Sequence, residues 1–183
     1  MFLCMLLICS FFSETLYAII SYSKIKLVGT CFENMLINKV NNMFISGLMT
    51  KVDNNKISVK SLRLVAGLGV KGDAKAKGGE RQLLLCDANS FAAFSQNGKA
   101  LCARRFMPNV LTEGIKWAEI AEGTRMQLGS SAVIEITSTF KKCFPPDCEQ
   151  LATGETCEIK HATASAKILQ SGEIKESDSI TVI

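Results

Sequence analysis

The chain has a single histidine and only three prolines. It has no run of Lys and Arg longer than a pair, and no apolar run long enough to cross a bilayer. A lone histidine, His161, excludes a metal site built from several imidazoles. A Ser-His-Asp triad would have to use that one residue, and no nucleophile-elbow motif accompanies it. Without a basic stripe interleaved with aromatics, the electrostatic footprint of a nucleic-acid binder is missing. Scarce proline and a charged fraction of 21 %, beside 48 % hydrophobic residues, exclude wholesale disorder. No Gly-Lys-Ser/Thr closes the glycine-rich stretch, so it is not a Walker loop.

What remains is a chain of 183 residues, enough for one domain with a sizeable core. The net charge of +4 suits a small anionic ligand better than a polyanion. The eight cysteines sit in a chain too long and too rich in core residues for a disulfide-dense secreted module, so we expect free thiols in a reducing, cytoplasmic setting. Residues 1–20 hold an apolar stretch, Phe2 to Phe12, that lacks a basic n-region and is broken at Ser13, Glu14 and Thr15. It fits a signal or anchor, an amphipathic appendage, or an upstream extension with translation beginning at Met43. Domain-like patterning starts near Met43. We therefore divide the chain into an extension, 1–42, and a domain, 43–183, and expect no stable membrane span.

Along that domain, Lys56 to Leu64 alternates as a strand with one slip, and Gln82 to Cys86 reads as a buried strand. Asp87 reads as the N-cap of a short helix, Ala88 to Asn97, with Gly98 as its stop. Arg104 to Gly114 reads as loop around Pro108. Thr124–Leu128 and Ala132–Thr137, separated by Gly129-Ser130-Ser131, form a β-hairpin. Ala162 to Gln170 is assigned to a short helix ended by Gly172, and Ser179 to Ile183 to a terminal strand. No βαβ rhythm appears. The expected fold is mainly β, a closed or partly closed barrel with a few short helices.

Three segments carry candidate chemistry. Cys143, Cys148 and Cys157 are spaced C-x4-C-x8-C with His161 after them, and Lys141 and Lys142 precede Cys143. Adjacent cations stabilise a thiolate, which is both nucleophile and soft-metal ligand. Two other readings of the same residues stand: incidental buried thiols, or a structural Cys3His zinc site in a non-catalytic binding module. The loop Lys71 to Gln82 sets Lys75, Lys77 and Arg81 among glycines, as a phosphate cradle would, though a solvated surface loop looks the same. In Pro108 to Gly114, Asn109 and Thr112 flank an apolar pair.

Taken in order, Gly69–Asp87, Met107–Ile115, Met126–Thr137, the cysteine run from Lys142 and the closing ILQSGEIKESDSITVI resemble the MOSC family, named for the C-terminal domain of molybdenum-cofactor sulfurases. The resemblance extends from about residue 44 to the end. It implies a MOSC-type β-barrel that binds the molybdenum–pterin cofactor, or carries sulfur as a cysteine persulfide. It further implies Gly72, Asp73, Arg81, Gln82, Asn109, Thr112 and Lys142 around the cofactor, with Cys143 as molybdenum ligand or sulfur carrier. The implied partners are a molybdoenzyme and a pyridoxal-phosphate-dependent cysteine desulfurase, the only route by which pyridoxal phosphate enters. Some relatives reduce N-hydroxylated bases. Phe144 stands where small relatives carry His, and the gap from Cys143 to Cys148 is one residue longer than theirs, so both Cys143 and Cys148 are candidate thiols, with Cys143 favoured.

Overall fold

The computed structural model describes residues 42–53, 55–97, 102, 105–140, 143, 148 and 157–183. The expected extension therefore lies outside the described residues, apart from its last position. The fold is mainly β, as expected. β1 (Phe44–Val52), β2 (Asn55–Val59), β5 (Leu83–Asp87), β6 (Val110–Glu113), β7 (Arg125–Leu128), β8 (Ala132–Ser138), β9 (Thr163–Gln170) and β11 (Ile180–Val182) form one sheet in the order β11-β7-β8-β9-β5-β6-β1-β2. A smaller sheet holds β10 (Gly172–Lys175), β3 (Ser61–Val65) and β4 (Gly69–Val70), in the order β10-β3-β4.

The large sheet curls until its ends meet. The start of β1 bonds the segment leading into β11, through Ile45 N to Asp178 O (2.9 Å), Ser177 N to Ile45 O (2.8 Å) and Ile180 N to Met43 O (2.8 Å). That contact completes a ring of β1, β6, β5, β9, β8, β7 and β11, leaving β2 paired to the other half of β1. Closure removes exposed edges, which is why short alternating strands settle into barrels. Inward positions of successive strands supply the main core: Ile45, Leu48, Leu83, Leu85, Val110, Met126, Leu128, Ile134, Ile136, Ala164, Ala166 and Ile168.

Several expectations change. Ala162–Gln170 is not a helix: Thr163–Gln170 is β9, a central strand between β5 and β8. Its Ala, Ser and Lys residues suit a helix locally, but pairing on both edges overrides that preference. Arg104–Gly114 is not all loop, because Val110–Glu113 is β6. β6 runs parallel to β5, with α1 (Ala88–Asn97) between them in sequence, so one βαβ unit is present after all. The expected strand from Lys56 to Leu64 is two strands, β2 and β3, separated at Lys60. β1 itself was not legible as a strand. A bulge between Ile45 and Gly47 breaks its alternation, and Gly47 fits there because a Cβ would stand 3.2 Å from Leu111 Cδ1.

The β7–β8 hairpin and the span of α1 follow the sequence reading, while the expected stop at Gly98 lies outside the described residues. Asp87 caps α1 as expected, its Oδ2 accepting from Ser90 N (2.8 Å) and Ser90 Oγ (2.9 Å). Phe94 of α1 meets Phe106 edge to face, at a centroid distance of 6.1 Å, in a second apolar cluster with Cys86, Cys157 and Ile159. No described helix is long and apolar enough to cross a membrane.

Candidate functional site

The loop after β4 begins with a turn. Asp73 N donates to Val70 O (3.1 Å), and Gly72, the third residue of that turn, has φ +82°. This is the type II geometry that favours glycine at that position, so Gly72 acts through the backbone, delivering Asp73 inward. Asp73 is buried at 7 % exposure. Its Oδ2 accepts from Thr50 Oγ1 (3.1 Å), Lys51 N (2.9 Å) and Asn109 Nδ2 (3.2 Å), and its Oδ1 from Lys75 N (2.7 Å). One carboxylate thus ties the loop to β1 and to the residue ahead of β6.

Asn109 continues the brace. Its Oδ1 accepts from Leu84 N (3.2 Å) and its Nδ2 donates to Met49 O (3.4 Å) as well as to Asp73. At the far end of the loop, Gln82 Nε2 donates to Gly79 O (2.7 Å) and Gln82 Oε1 accepts from Ile168 N (3.1 Å). Thr137, at an irregularity in the β8–β9 ladder, shares its one hydroxyl proton between Glu80 O (2.9 Å) and Ser165 O (3.1 Å). Lys167 bridges Glu135 (2.9 Å) and Glu80 (3.9 Å), and Arg125 also bonds Glu135 (3.1 Å). Hydrogen bonds from Lys167 and then Arg125 hold the Glu135 carboxyl below its usual range.

Between this braced loop and the barrel lies a cleft of about 280 Å³. Of the residues expected at the site, Asp73, Arg81, Gln82 and Asn109 line it, joined by Lys75, Ser165 and Met107. Arg81 is exposed, and its Nε reaches Ser165 Oγ at 3.4 Å, a long contact that leaves the guanidinium fork able to meet a ligand. Thr112 is not on the cleft. It is fully buried, its Oγ1 donating to Cys86 O (3.3 Å) and accepting from Trp117 Nε1 (3.2 Å). Gly72 does not line the cleft either.

Cys143 is half-buried and Cys148 buried; neither lines the cleft, and Lys142 lies outside the described residues. β8 nevertheless ends beside it, since Ser138 pairs with Ser165, and Cys143 follows shortly in sequence. The zinc reading is not supported. Among the described residues no three His, Cys, Asp or Glu side chains gather to hold a metal. Cys157 packs in the second apolar cluster, and His161 is exposed. Cys86 is an inert thiol, with burial and then the Asp87 charge pushing its pKa up to about 12.

Ser165 and Met107 were not legible as site residues, because strand pairing and a turn bring them to the cleft from distant parts of the chain. Lys75 was legible, as part of the cationic loop.

A family model of the MOSC domain matches residues 72–181. No functionally curated protein matches the sequence. Among solved structures, one described only as a hypothetical protein aligns with a TM-score of 0.56 at 17 % identity, covering 80 % of this chain and 71 % of the other. The YuaD protein from Bacillus subtilis aligns at 0.54 and 15 % identity, covering 76 % and 94 %. YiiM from Escherichia coli aligns at 0.51 and 15 %, covering 76 % and 69 %. At these identities the likeness is one of fold alone.

Proposed function

The chain belongs to the MOSC family, and we propose that its cleft binds the molybdenum–pterin cofactor, with Cys143 as the thiol that ligates molybdenum or carries sulfur as a persulfide. The observation that carries this reading is the charge of the cleft. Arg81 and Lys75 face it as cations, while the one carboxylate among its described lining residues, Asp73, is turned into internal hydrogen bonds. That donor set fits an anionic, hydrogen-bonding ligand. The volume lies near the lower end of the ~300–1,000 Å³ usual for small-molecule sites. When bound, the cofactor supplies the redox-active molybdenum centre.

The chain's own residues divide the work. Arg81 presents its guanidinium fork to an oxyanion, and Ser165 lies within reach of Arg81 and orients it. Asp73, Asn109 and Gln82 hold the walls in place, and Gly72 sets the turn that makes this possible. Lys142 adds positive charge beside Cys143 in sequence. In the sulfur-carrying form, the Cys143 thiolate attacks the outer sulfur of a desulfurase persulfide, and the donor cysteine leaves as thiolate. The sulfane sulfur moves with no net oxidation, and a molybdoenzyme or its cofactor is the acceptor.

Arg81→Gln tests the reading. On protein co-produced with the cofactor, we expect retained molybdenum to fall about tenfold, the effect of one charge-assisted contact, with the far-ultraviolet circular dichroism unchanged. Full molybdenum in that variant would count against the cleft as the site.

A further inference from the structure

β1 and β2 form a hairpin whose turn holds Asp53 at φ 50°, and their register sets Lys51 directly opposite Lys56. Directly opposed side chains leave the same face of a sheet with Cβ atoms ~4.5–5.5 Å apart, so two like charges there repel. The cleft loop brings a third cation to the same end. Ala74 N donates to Lys51 O (2.8 Å), and the next residue, Lys75, lines the cleft with its N–H on Asp73 Oδ1.

Lys56 does not swing away from this crowding, because its Nζ is held by Phe106 O at 2.9 Å, next to the cleft residue Met107. Burial, then the charges of Lys75 and Lys51, lower its pKa. Among the described residues none of the three lysines is in an ion pair. The Asp73 carboxylate beneath them is already met by Thr50, Asn109 and the backbone N–H groups of Lys51 and Lys75. Three cations against one carboxylate, none of them ion-paired with it, leave an excess of positive charge that an anion would stabilise.

We propose that Lys51, Lys56 and Lys75 form a phosphate-binding subsite at the β1–β2 end of the cleft. It is separate from the Arg81 end. Ser165, Arg81's contact, is on β9, and β5 and β6 stand between β9 and β1. Three strand spacings of about 4.8 Å put the β1 and β9 backbones about 14 Å apart, so the lysines of the hairpin and Arg81 approach from different strands. The subsite rests on the lysine geometry and holds whether or not the cleft takes the pterin cofactor. The phosphate it binds is either the cofactor's own or that of a phosphorylated second ligand.

The test is titration of the full chain with inorganic phosphate at low ionic strength, followed by calorimetry and by thermal unfolding. Lys56→Gln and Lys75→Gln should each raise the dissociation constant for phosphate about tenfold, and the pair about a hundredfold. Lys116→Gln, which replaces a surface lysine paired with Glu119, should stay within about twofold. Without phosphate, Lys56→Gln should unfold at the same temperature as the wild type or higher, because a repulsion is relieved, and should lose most of the phosphate-induced rise. Lys75→Gln, at an exposed loop position, gives the same reading should Lys56→Gln fold poorly. Unchanged phosphate affinity in both lysine variants, or an equal loss in Lys116→Gln, would overturn the proposal. Repeating the titration on molybdenum-loaded protein identifies the source. Blocked binding assigns the subsite to the cofactor's phosphate, and retained binding assigns it to a second ligand; both outcomes support the subsite.

Discussion

Replacing Asp73 by alanine is expected to lower the free energy of unfolding by about 3–4 kcal/mol, the largest loss foreseen for any single cleft residue. The carboxylate is buried and accepts four hydrogen bonds, two of them from backbone N–H groups and two from side chains. Removing it strands Thr50 Oγ1 and the N–H groups of Lys51 and Lys75, each costing ~1–3 kcal/mol where water cannot replace the lost partner. The cleft side of the site admits some water, which keeps the sum below three full penalties. Asp73→Asn retains the oxygen that serves three donors and loses only the acceptor for Lys75 N, so about 1–2 kcal/mol is expected. Urea unfolding of the two variants beside the wild type measures both. A loss under about 0.5 kcal/mol for the alanine variant would mean that the brace does not hold the loop.

Trp117→Ala is expected to cost about 3–5 kcal/mol. Trp117 sits on a 3-10 turn after β6, is 1 % exposed, and packs with the main barrel core. Its indole N–H also meets Thr112 Oγ1, which in turn donates to Cys86 O between β5 and β6. Truncation therefore opens a cavity and breaks a buried relay at once. Trp117→Phe keeps most of the volume and breaks the relay alone, at about 1–2 kcal/mol, and the difference between the two variants isolates the packing share. Guanidinium unfolding with Trp117 itself replaced has to be followed by circular dichroism, since this is the chain's one tryptophan. Equal destabilisation by Ala and Phe would contradict the packing account.

How far the sequence could be read depended on how local each signal was. The β7–β8 hairpin carries its own alternation and turn, and Asp87 caps its helix within three residues, so both were legible. β9 was not, because Ala164, Ala166 and Lys167 favour a helix until β5 and β8 claim both edges of the segment. β1 was hidden by the bulge at Ser46, and with it went the Lys51–Lys56 opposition, which exists only once the hairpin register is known. In the site, the loop cations Lys75 and Arg81 were legible by composition and do line the cleft. Ser165 was not, since it is joined to Arg81 only by tertiary pairing. Thr112 was set at the cofactor by the family resemblance alone, and its buried partners, Trp117 Nε1 and Cys86 O, cannot be inferred from spacing.

The central claim is that this barrel holds molybdenum through Cys143. Its most direct test is elemental analysis by plasma mass spectrometry on protein co-produced with molybdenum-cofactor synthesis, with wild type, Cys143→Ser and Cys148→Ser side by side. Cys143 is half-buried, whereas Cys148 is buried. The account predicts molybdenum near one per chain in the wild type and in Cys148→Ser, and its loss in Cys143→Ser. Molybdenum retained in Cys143→Ser, or zinc in its place in the wild type, would contradict it.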